Sequence, residues 1–331
     1  MLRFGLLGAG RIGQIHGRNI AASPDARLVA VADVDRKAAS ALADKTGAEV
    51  RDAEAIVTAG DLDAILIGTP TDTHAGLIEA AARAGKAVLC EKPVDLDAAR
   101  VETCLKAVEA AGIPLMIGFN RRFDPNFSAL KKRVAEGAIG KVEIVTIISR
   151  DPAPPPVSYI ERSGGLYRDM MIHDFDMARF LLDEEPVELH AYGSALVDPA
   201  IGKAGDVDTA LVMLRTASGK LAQISNSRRA SYGYDQRIEV HGSEGMARAD
   251  NIHETTVEIA GKNGFTADPV QNFFLERYAE AYRCELAAFV EAVGDGTKPS
   301  PSGRDGLQAQ RLADAAAESR RTGRPVAIKT G

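Results

Sequence analysis

The sequence has no apolar run as long as a membrane span, and it has few cysteines and few aromatic residues. Its 331 residues include three cysteines, and aromatic residues make up 5%. Without a long apolar run the chain is not expected to cross a bilayer, and a strand pattern that starts directly after Met1 predicts that no signal peptide is present. Cys90, Cys104 and Cys284 are odd in number and lack the spacing of metal ligands. They indicate buried thiols in a reducing compartment, which predicts a cytoplasmic protein.

The charge balance argues against nucleic acid and membrane surfaces as partners. Lys and Arg total 40, Asp and Glu total 46, and the net charge of −6 comes from both signs interleaved along the chain. The length exceeds what one hydrophobic core usually organises. We therefore predict two domains, residues 1–120 and 121–331, in which the final helix and strand can pack back onto the first domain.

A glycine-rich turn near the start of the chain predicts a dinucleotide-binding domain. The turn consists of Gly8, Ala9, Gly10, Arg11, Ile12 and Gly13. It lies between a strand pattern at 2–7 and a helical pattern, and Asp33 ends a second strand about 20 positions later. This combination is the fingerprint of a Rossmann fold. In it, Gly8 permits the tight turn, Gly10 admits the pyrophosphate and Gly13 lets the helix pack on the strand.

Asp33 also predicts which dinucleotide is bound. Its carboxylate is expected to accept hydrogen bonds from the ribose hydroxyls and to repel a 2′-phosphate. Arg36 and Lys37 are near enough in the chain to accept that phosphate, but Asp35 weakens the basic patch. We therefore predict NAD rather than NADP as the cofactor.

Polar residues follow the later strands of the predicted parallel sheet. Strand patterns at 62–67, 87–90 and 115–117 each end in such a cluster. Because ligands bind at the carboxyl ends of strands in an open parallel sheet, we expect these clusters to line the cofactor or the substrate. The candidates are Thr69, Pro70, His74, Glu91, Lys92, Asn120 and Arg121. Lys92 is the most informative, because a lysine fixed between a buried strand and a proline can be held as a donor to a substrate oxygen.

Beyond Phe123 the pattern changes to strands that follow one another without intervening helices. Candidate strands cover 141–148, 187–196, 208–214, 221–227, 236–241 and 255–259, and candidate helices cover 125–136, 169–182, 272–293 and 303–321. Runs of strands predict an open, mostly antiparallel sheet, so we expect an α+β domain after the α/β Rossmann domain. The strand at 210–214 is apolar on both faces, which predicts that a second copy of the chain covers one of them.

The helix predicted at 169–182 carries the candidate catalytic pair of the second domain. Asp169 and His173 are four residues apart, so their side chains would lie on one helical face. A carboxylate beside an imidazole holds one tautomer and suits a proton acceptor. The alternative interpretation is an N-capped core helix that contains a structural histidine.

Further candidate substrate contacts are Asp151, Tyr159, Tyr234 and Tyr278. The first two flank Pro154-Pro155-Pro156, a stiff loop that forms either a wall of the site or a surface crossover. Tyr234 lies in the stretch 228–237, which is rich in arginine and tyrosine and would either bind a polyol or form a polar subunit edge. Tyr278 and Tyr282 are one turn apart on the helix predicted at 272–293, so either could reach the substrate.

These motifs together resemble the Gfo/Idh/MocA oxidoreductases. The resemblance rests on the glycine-rich turn, Glu91-Lys92-Pro93, Gly118-Phe-Asn-Arg-Arg-Phe123 and the Asp169/His173 pair, in that order. Within the family, the stretches 149–156, 163–177 and 274–282 are most similar to the inositol 2-dehydrogenase branch. The resemblance implies that Lys92, Asp169 and His173 are the catalytic residues. His173 would take the hydroxyl proton, Asp169 would orient it, and Lys92 would polarise the substrate oxygen.

The resemblance also implies a reaction and an assembly. It predicts a homotetrameric enzyme that uses NAD to oxidise a small polyol, myo-inositol, at its axial hydroxyl to the 2-keto product. Two alternatives stay open, a dehydrogenase of another cyclitol or a sugar, which shares the fold, and a non-catalytic dinucleotide-binding regulator. The presence of Lys92, Asp169 and His173 argues against the regulator. A metal site on Asp169, His173 and Asp176 is disfavoured, because no second histidine or cysteine completes a common ligand set.

Overall fold

The computed structural model describes residues 1–329, and these form two compact units. The first unit comprises Met1–Phe123 and Ala281–Gln310, and the second comprises Asp124–Glu280 and the residues from Arg311 onward. The sequence placed 281–310 in the second domain, whereas the structure groups this segment with the first unit. The reason is packing, since Leu286 and Phe289 join the hydrophobic core of the first unit and the Phe289 ring lies 5.9 Å from the Phe4 ring.

A six-stranded parallel sheet forms the centre of the first unit. Its strands are β1 (Leu2–Leu7), β2 (Ala26–Ala32), β3 (Glu49–Val50), β4 (Ala64–Ile67), β5 (Ala87–Cys90) and β6 (Leu115–Ile117). They are ordered β3-β2-β1-β4-β5-β6, and every pair is parallel. The strand order reverses between β1 and β4, and ligands of such sheets bind outside the carboxyl ends of the strands at that point. The predicted parallel α/β fold is confirmed.

Helices connect the consecutive strands of the first unit. They are α1 (Arg11–Ala22), α2 (Arg36–Thr46), α3 (Ala53–Thr58), α4 (Thr71–Arg83) and α5 (Ala98–Ala111), and a 3₁₀ helix covers Asn120–Phe123. Local sequence fixes the helix ends, as α2 shows. Asp35 caps its N-terminus by accepting two backbone N–H groups, and Gly47 ends it in the left-handed conformation.

A seven-stranded sheet forms the centre of the second unit. Its strands are β7 (Val142–Arg150), β8 (Pro186–Ser194), β9 (Thr209–Thr216), β10 (Leu221–Ser227), β11 (Asp235–Gly242), β12 (Gly245–Ala249) and β15 (Val326–Ala327). The order is β12-β11-β7-β10-β9-β8-β15. Adjacent strands are antiparallel except β7 and β10, which run parallel. The predicted open, mostly antiparallel sheet is confirmed.

Two strand predictions in the second unit need correction. The strand predicted at 255–259 does not join the main sheet, because β13 (Glu258–Gly261) pairs with β14 (Gly264–Ala267) in a separate exposed hairpin. The strand β12 was not predicted. Its sequence, Gly-Met-Ala-Arg-Ala, has none of the β-branched or aromatic residues that favour strands, and it is paired because β11 lies beside it.

Two predicted helices are broken in the structure. The remaining helices are α6 (Pro125–Ala135), α7 (Val157–Ser163), α8 (Ile172–Leu182), α9 (Pro199–Lys203), α10 (Phe274–Arg277), α11 (Ala279–Gly294) and α12 (Gly303–Thr322). The helix predicted at 272–293 breaks at Tyr278, whose backbone (φ −112°, ψ 14°) leaves the helical region. The helix predicted at 169–182 begins instead with a π-helical turn, Leu166–Met170, ahead of α8. Within residues 1–329, no helix combines the length and the apolar character that crossing a bilayer requires.

Candidate active site

The glycine-rich turn of the first unit requires glycine at two positions. Gly8 has φ 96°, in the left-handed region, and a Cβ there would come within 2.5 Å of the carbonyl oxygen of Gly68. A Cβ on Gly13 would collide with the carbonyl oxygen of Gly8. At Gly10, by contrast, a Cβ would meet no described atom within 4 Å, so the N-terminus of α1 faces open space. The first turn of a helix in this position offers backbone N–H groups to a phosphate.

Asp33 joins the glycine-rich turn to the end of β2. Its Oδ2 accepts a hydrogen bond from the Ala9 N–H at 2.6 Å, and its Oδ1 accepts one from the Asp35 N–H at 2.7 Å. Arg36 lies 2.5 Å from Asp52 in an exposed ion pair, which directs its guanidinium to that carboxylate. A glycine-rich turn, a helix N-terminus and an acidic residue at the end of the second strand are the groups that bind NAD in Rossmann folds. The residues present therefore fit this cofactor.

The residues after β4 hold the ends of β4 and β5 together. Both ring nitrogens of the buried His74 lie 2.8 Å from backbone carbonyl oxygens, Nδ1 from that of Pro93 and Nε2 from that of Thr69. The hydroxyls of Thr69 and Thr73 are 2.6 Å apart, and Pro70 directly precedes α4. His74 thus has a structural contact with both strand ends, which the sequence did not predict. Its contact with the cofactor stays a prediction.

Lys92 lies at the carboxyl end of β5, between Glu91 and Pro93. Its side chain is half-buried, and the peptide bond to Pro93 is cis. The neighbouring Glu91 lies against helix α1, where Nε2 of His16 is 2.8 Å from Oε1 of Glu91. His16 was not predicted as a site residue, because a single histidine on the inner face of a helix forms no recognisable pattern.

Asn120 and Arg121 lie in the 3₁₀ helix after β6, and both are buried. Nδ2 of Asn120 has no hydrogen-bond partner within the part of the chain that the structure describes. Buried amide groups are normally paired, so an unpaired amide at the end of a parallel strand is suited to a ligand. The structure therefore places a donor where the sequence predicted a cofactor contact.

Asp169 of the second unit is approached by two side chains. The Tyr159 hydroxyl donates to Oδ1 of Asp169 at 3.0 Å, and Nη2 of Arg228 lies 3.5 Å from Oδ2. Arg228 is 2% exposed, and its Nη1 lies 3.9 Å from Asp151. The predicted residues Asp151, Tyr159 and Asp169 are therefore brought to one place. Arg228, which the sequence left between a polyol contact and a subunit edge, is the buried cation that joins them.

The π-helical turn before α8 sets the backbone position of Asp169, which lies within it, and of His173, which follows it. Gly164 and Gly165 precede the turn with φ values of 87° and 79°. A Cβ on Gly165 would come within 2.5 Å of the Asp206 carboxylate, so both the conformation and the space require glycine there. His173 follows, half-buried, in the first turn of α8. π-Helical turns occur often at functional sites.

Tyr234 and Tyr278 form a buried aromatic pair in the second unit. Their rings pack edge to face with centroids 6.0 Å apart. The Tyr278 hydroxyl donates to Oε1 of Gln236 at 3.1 Å, and the amide of Gln236 donates to the Ser149 hydroxyl at 3.0 Å. Tyr282, which the sequence offered as an alternative to Tyr278, belongs to the first unit and packs edge to face on the ring of His16. The break at Tyr278 separates the two tyrosines that the sequence placed on one helix.

Two family models match this chain. Residues 2–119 match the oxidoreductase family with an NAD-binding Rossmann fold, and residues 127–248 match the GFO/IDH/MocA C-terminal domain. The chain therefore belongs to the Gfo/Idh/MocA family of oxidoreductases, as its motifs predicted.

Relatives that match the chain over its full length give a more specific comparison than the family models do. The chain is 58% identical over 327 residues to an inositol 2-dehydrogenase from Rhizobium meliloti (strain 1021), which covers 99% of both chains. A myo-inositol dehydrogenase structure from Corynebacterium glutamicum is 47% identical with a TM-score of 0.96 and covers 100% of both chains. A scyllo-inositol dehydrogenase structure from Lactobacillus casei, with bound NAD(H) and scyllo-inositol, is 30% identical with a TM-score of 0.92 over 99% of both chains. The predicted enzyme class and the NAD cofactor are confirmed.

Proposed function

We propose that this protein oxidises myo-inositol to its 2-keto derivative with NAD. The observation that carries the proposal is identity over the whole chain. It reaches 58% with an inositol 2-dehydrogenase and 47% with a myo-inositol dehydrogenase. A shared fold alone leaves the substrate open. Identity at this level over both units favours a shared substrate as well.

The proposed chemistry removes a proton from a hydroxyl group while hydride leaves the carbon that bears it. NAD, when bound, supplies the hydride acceptor. We assign proton acceptance to the imidazole of His173, orientation of that imidazole to Asp169, and polarisation of the substrate oxygen to the ammonium of Lys92. A positioned base contributes about 10²–10⁴-fold in rate. The contacts of Asp169 with Tyr159 and Arg228 support this assignment, because they hold the carboxylate in place.

We propose that the first unit binds the dinucleotide and that the second provides most of the substrate contacts. The proposed cofactor contacts are Gly8, Gly10, Arg11, Ile12, Gly13, Asp33, Thr69, Pro70, His74, Glu91 and Asn120. NAD is favoured over NADP, because the Asp33 carboxylate would repel a 2′-phosphate and Arg36 is paired with Asp52.

A small neutral ring with several hydroxyl groups suits the side chains proposed for substrate binding. These are Lys92, Arg121, Asp151, Tyr159, Asp169, His173, Tyr234 and Tyr278. Each can donate or accept hydrogen bonds. An analogue that lacks one hydroxyl would leave a buried polar group unpaired, at a cost of about 1–3 kcal/mol.

We also propose a homotetramer in a reducing, cytoplasmic environment. The outward face of the seven-stranded sheet carries six large apolar side chains that are 40–63% exposed, Ile144, Tyr192, Leu211, Met213, Leu221 and Met246. Strand register places Tyr192 opposite Leu211 and Leu221 opposite Ile144, while Met213 lies opposite Gln223. Exposed apolar side chains grouped on one face of a sheet favour association, and the family resemblance indicates four copies. The three free cysteines fit a reducing compartment.

The test of the substrate is a panel assayed with NAD by the absorbance of the reduced cofactor. The panel contains myo-inositol, scyllo-inositol, deoxy-inositols and glucose. We expect myo-inositol to give the highest kcat/KM and each deoxy analogue to be slower by about tenfold or more, because a polar contact is lost. scyllo-Inositol is the stereochemical control, since it differs from myo-inositol at one carbon. A higher kcat/KM for scyllo-inositol or glucose would contradict the substrate, and no reduction of NAD by any member would favour the regulator.

A further inference from the structure

A buried cluster in the first unit contains two residues, His16 and Glu285, that have no role in the chemistry proposed above. It consists of His16 in α1, Glu91 after β5 and Glu285 in α11, and one polar atom of each lies within 4.8 Å of the other two. Nε2 of His16 and Oε1 of Glu91 are 2.8 Å apart. Glu285 is 0% exposed, and neither of its carboxylate oxygens has a hydrogen-bond partner in the described chain.

Glu285 occupies a position on α11 that would normally hold an apolar residue. Tyr282 and Phe289 lie three and four positions from it on the same helical face, Leu286 follows it directly, and all three are buried. Moving an ionised carboxylate into such surroundings without a partner is very costly. Burial, and then the carboxylate of Glu91, raise the pKa of Glu285 well above its ordinary value of 4.5.

We propose that Glu285 is a neutral carboxylic acid that donates a hydrogen bond to Glu91. This hydrogen bond holds in place the turn after β5, which carries Lys92. The final torsion of a glutamate side chain is soft, so the acid can rotate toward Glu91 at little cost. Glu91 then lies between two hydrogen-bonding partners, His16 and Glu285. With its proton kept, Glu285 adds no second negative charge beside Glu91, which avoids the cost of an unpaired buried ion.

Glu91 is the residue through which the cluster acts on Lys92. It directly precedes Lys92 where β5 ends. Its side chain packs on the backbone of Gly118, where a Cβ would come within 3.1 Å of Oε2, and the Gly118 N–H donates to the Cys90 carbonyl at 2.7 Å. A glutamate held on several sides restricts the backbone of the next residue. His16 and Glu285 are therefore positioning residues, and this step rests on the proposed role of Lys92.

The neutral acid predicts how stability depends on pH. Because folding raises the pKa of Glu285, the folded chain keeps a proton above pH 4.5 that the unfolded chain releases. From there up to the raised pKa, the unfolded state binds fewer protons, so Glu285 lowers stability as the pH rises. The titratable groups next to Glu285 in this cluster are His16 and Glu91, and Tyr282 lies on the same face of α11. All three remain in a Glu285→Gln variant, which keeps the shape and a donor but removes the titration.

The first experiment measures thermal unfolding of the full-length protein between about pH 5 and pH 8. The Tm of Glu285→Gln relative to wild type should rise by about 2 °C for each pH unit in this window. Glu291→Gln, at an exposed position of the same helix, is the matched control and should follow wild type at every pH. A Glu285→Gln protein that is less stable than wild type at neutral pH would show an ionised, stabilising carboxylate and would overturn the proposal.

The second experiment tests whether Glu285 positions the turn that carries Lys92 or only fills space in the core. Glu285→Met keeps the length of the side chain but has no donor. It should lower kcat by about tenfold or more, change the NAD dissociation constant by a smaller factor because Glu91 is one of many proposed cofactor contacts, and speed amide hydrogen exchange in the segment that ends at Lys92. Glu285→Gln donates through its amide and should restore both kcat and exchange toward wild type. Wild-type kcat and exchange in Glu285→Met would rule out the positioning role.

Metal analysis of the purified protein completes the test. A stoichiometric divalent ion that is present in wild type and absent from both variants would mean that the cluster binds metal, which overturns the neutral acid. If no cyclitol reduces NAD, the proposed function fails. The stability and exchange measurements use no substrate, so they decide the state of Glu285 and its effect on the turn in either case.

Discussion

Lys92 and His173 carry the proposed chemistry at the scale of single residues, and each lies directly beside an irregular stretch of backbone. Lys92 lies between the end of β5 and Pro93, and His173 lies in the first turn of α8 behind a π-helical turn. Both side chains are half-buried. Neither is assigned to hold the dinucleotide, so cofactor binding and turnover should separate when either is replaced.

We expect Lys92→Ala and His173→Ala each to lower kcat for myo-inositol by about 10²–10⁴-fold. The NAD dissociation constant, measured by fluorescence titration, should stay close to that of wild type. Lys106→Ala, at an exposed position on α5, is the matched control and should keep wild-type kinetics. A variant at position 92 or 173 that turns over at the wild-type rate would remove that residue from the mechanism.

Asp33 has two proposed effects, since it holds the glycine-rich turn in place and repels a 2′-phosphate. The effect of replacing it on cofactor choice is therefore measured as a ratio between the two cofactors. Loss of its contacts with the N–H groups of Ala9 and Asp35 would weaken binding of either dinucleotide. The ratio of kcat/KM for NADP to that for NAD cancels this common loss. Asp33→Ala and Asp33→Asn should each raise the ratio by roughly fivefold or more, because a like-charge contact costs on the order of 1 kcal/mol even in water. An unchanged ratio in both variants would contradict selection by Asp33.

Site residues could be predicted where their partners are adjacent in the chain. Gly8 and Lys92 are recognisable from the sequence because the residues next to them in the chain are also their neighbours in the structure. His16 meets Glu91 75 positions away, and Arg228 approaches Asp169 59 positions away. Nothing in the local sequence identifies such a distant partner, so these roles emerged only from the fold.

At the scale of elements, apolar periodicity predicts which residues are buried but not which hydrogen-bonding pattern the backbone follows. At 272–293 the apolar pattern continues through Tyr278, yet the backbone breaks there and the Tyr278 ring packs on Tyr234. At 169–182 the apolar residues are buried as predicted, except for the half-buried Phe180, but Gly164 and Gly165 lead the chain into a π-helical turn first. In both places the departure from a regular helix coincides with a candidate site residue.

Strands were predicted best where turn signals bound them on both sides. The strands β5, β6 and β10 have the same limits as the patterns at 87–90, 115–117 and 221–227. The parallel pairing of β7 with β10 could not be predicted, because it joins strands separated by α7, α8, β8, α9 and β9. The order of apolar and polar residues in a strand predicts which of its faces is buried. Which other strand it pairs with depends on how the chain between the two strands folds.

At the scale of the whole molecule, the division into units also depends on packing that the sequence does not display. The apolar pattern of helix α11 predicts that one face of the helix is buried. It does not predict which of the two hydrophobic cores that face joins. Leu286 and Phe289 pack into the core of the first unit, although every strand of the second unit except β15 precedes them in the chain.

The outward face of the seven-stranded sheet contains a strand that the sequence predicted to be apolar on both faces. Along β9, Ala210, Val212 and Leu214 are buried, whereas Leu211 and Met213 are 57% and 59% exposed. A strand that is apolar on both faces leaves one face uncovered in a single chain. Burying each such side chain stabilises an assembly by about 1.5–3 kcal/mol, and a symmetric interface repeats the gain in every copy.

Charge at the centre of this face should therefore disrupt the assembly. We expect wild type to run as a tetramer by size-exclusion chromatography with light scattering, and Leu211→Lys combined with Met213→Glu to give a smaller species. Leu211→Ile combined with Met213→Leu keeps the apolar volume, so this control should remain tetrameric. A charged variant that is still a tetramer would place the interface on another surface. A monomeric wild type would show that the exposed face does not drive self-association.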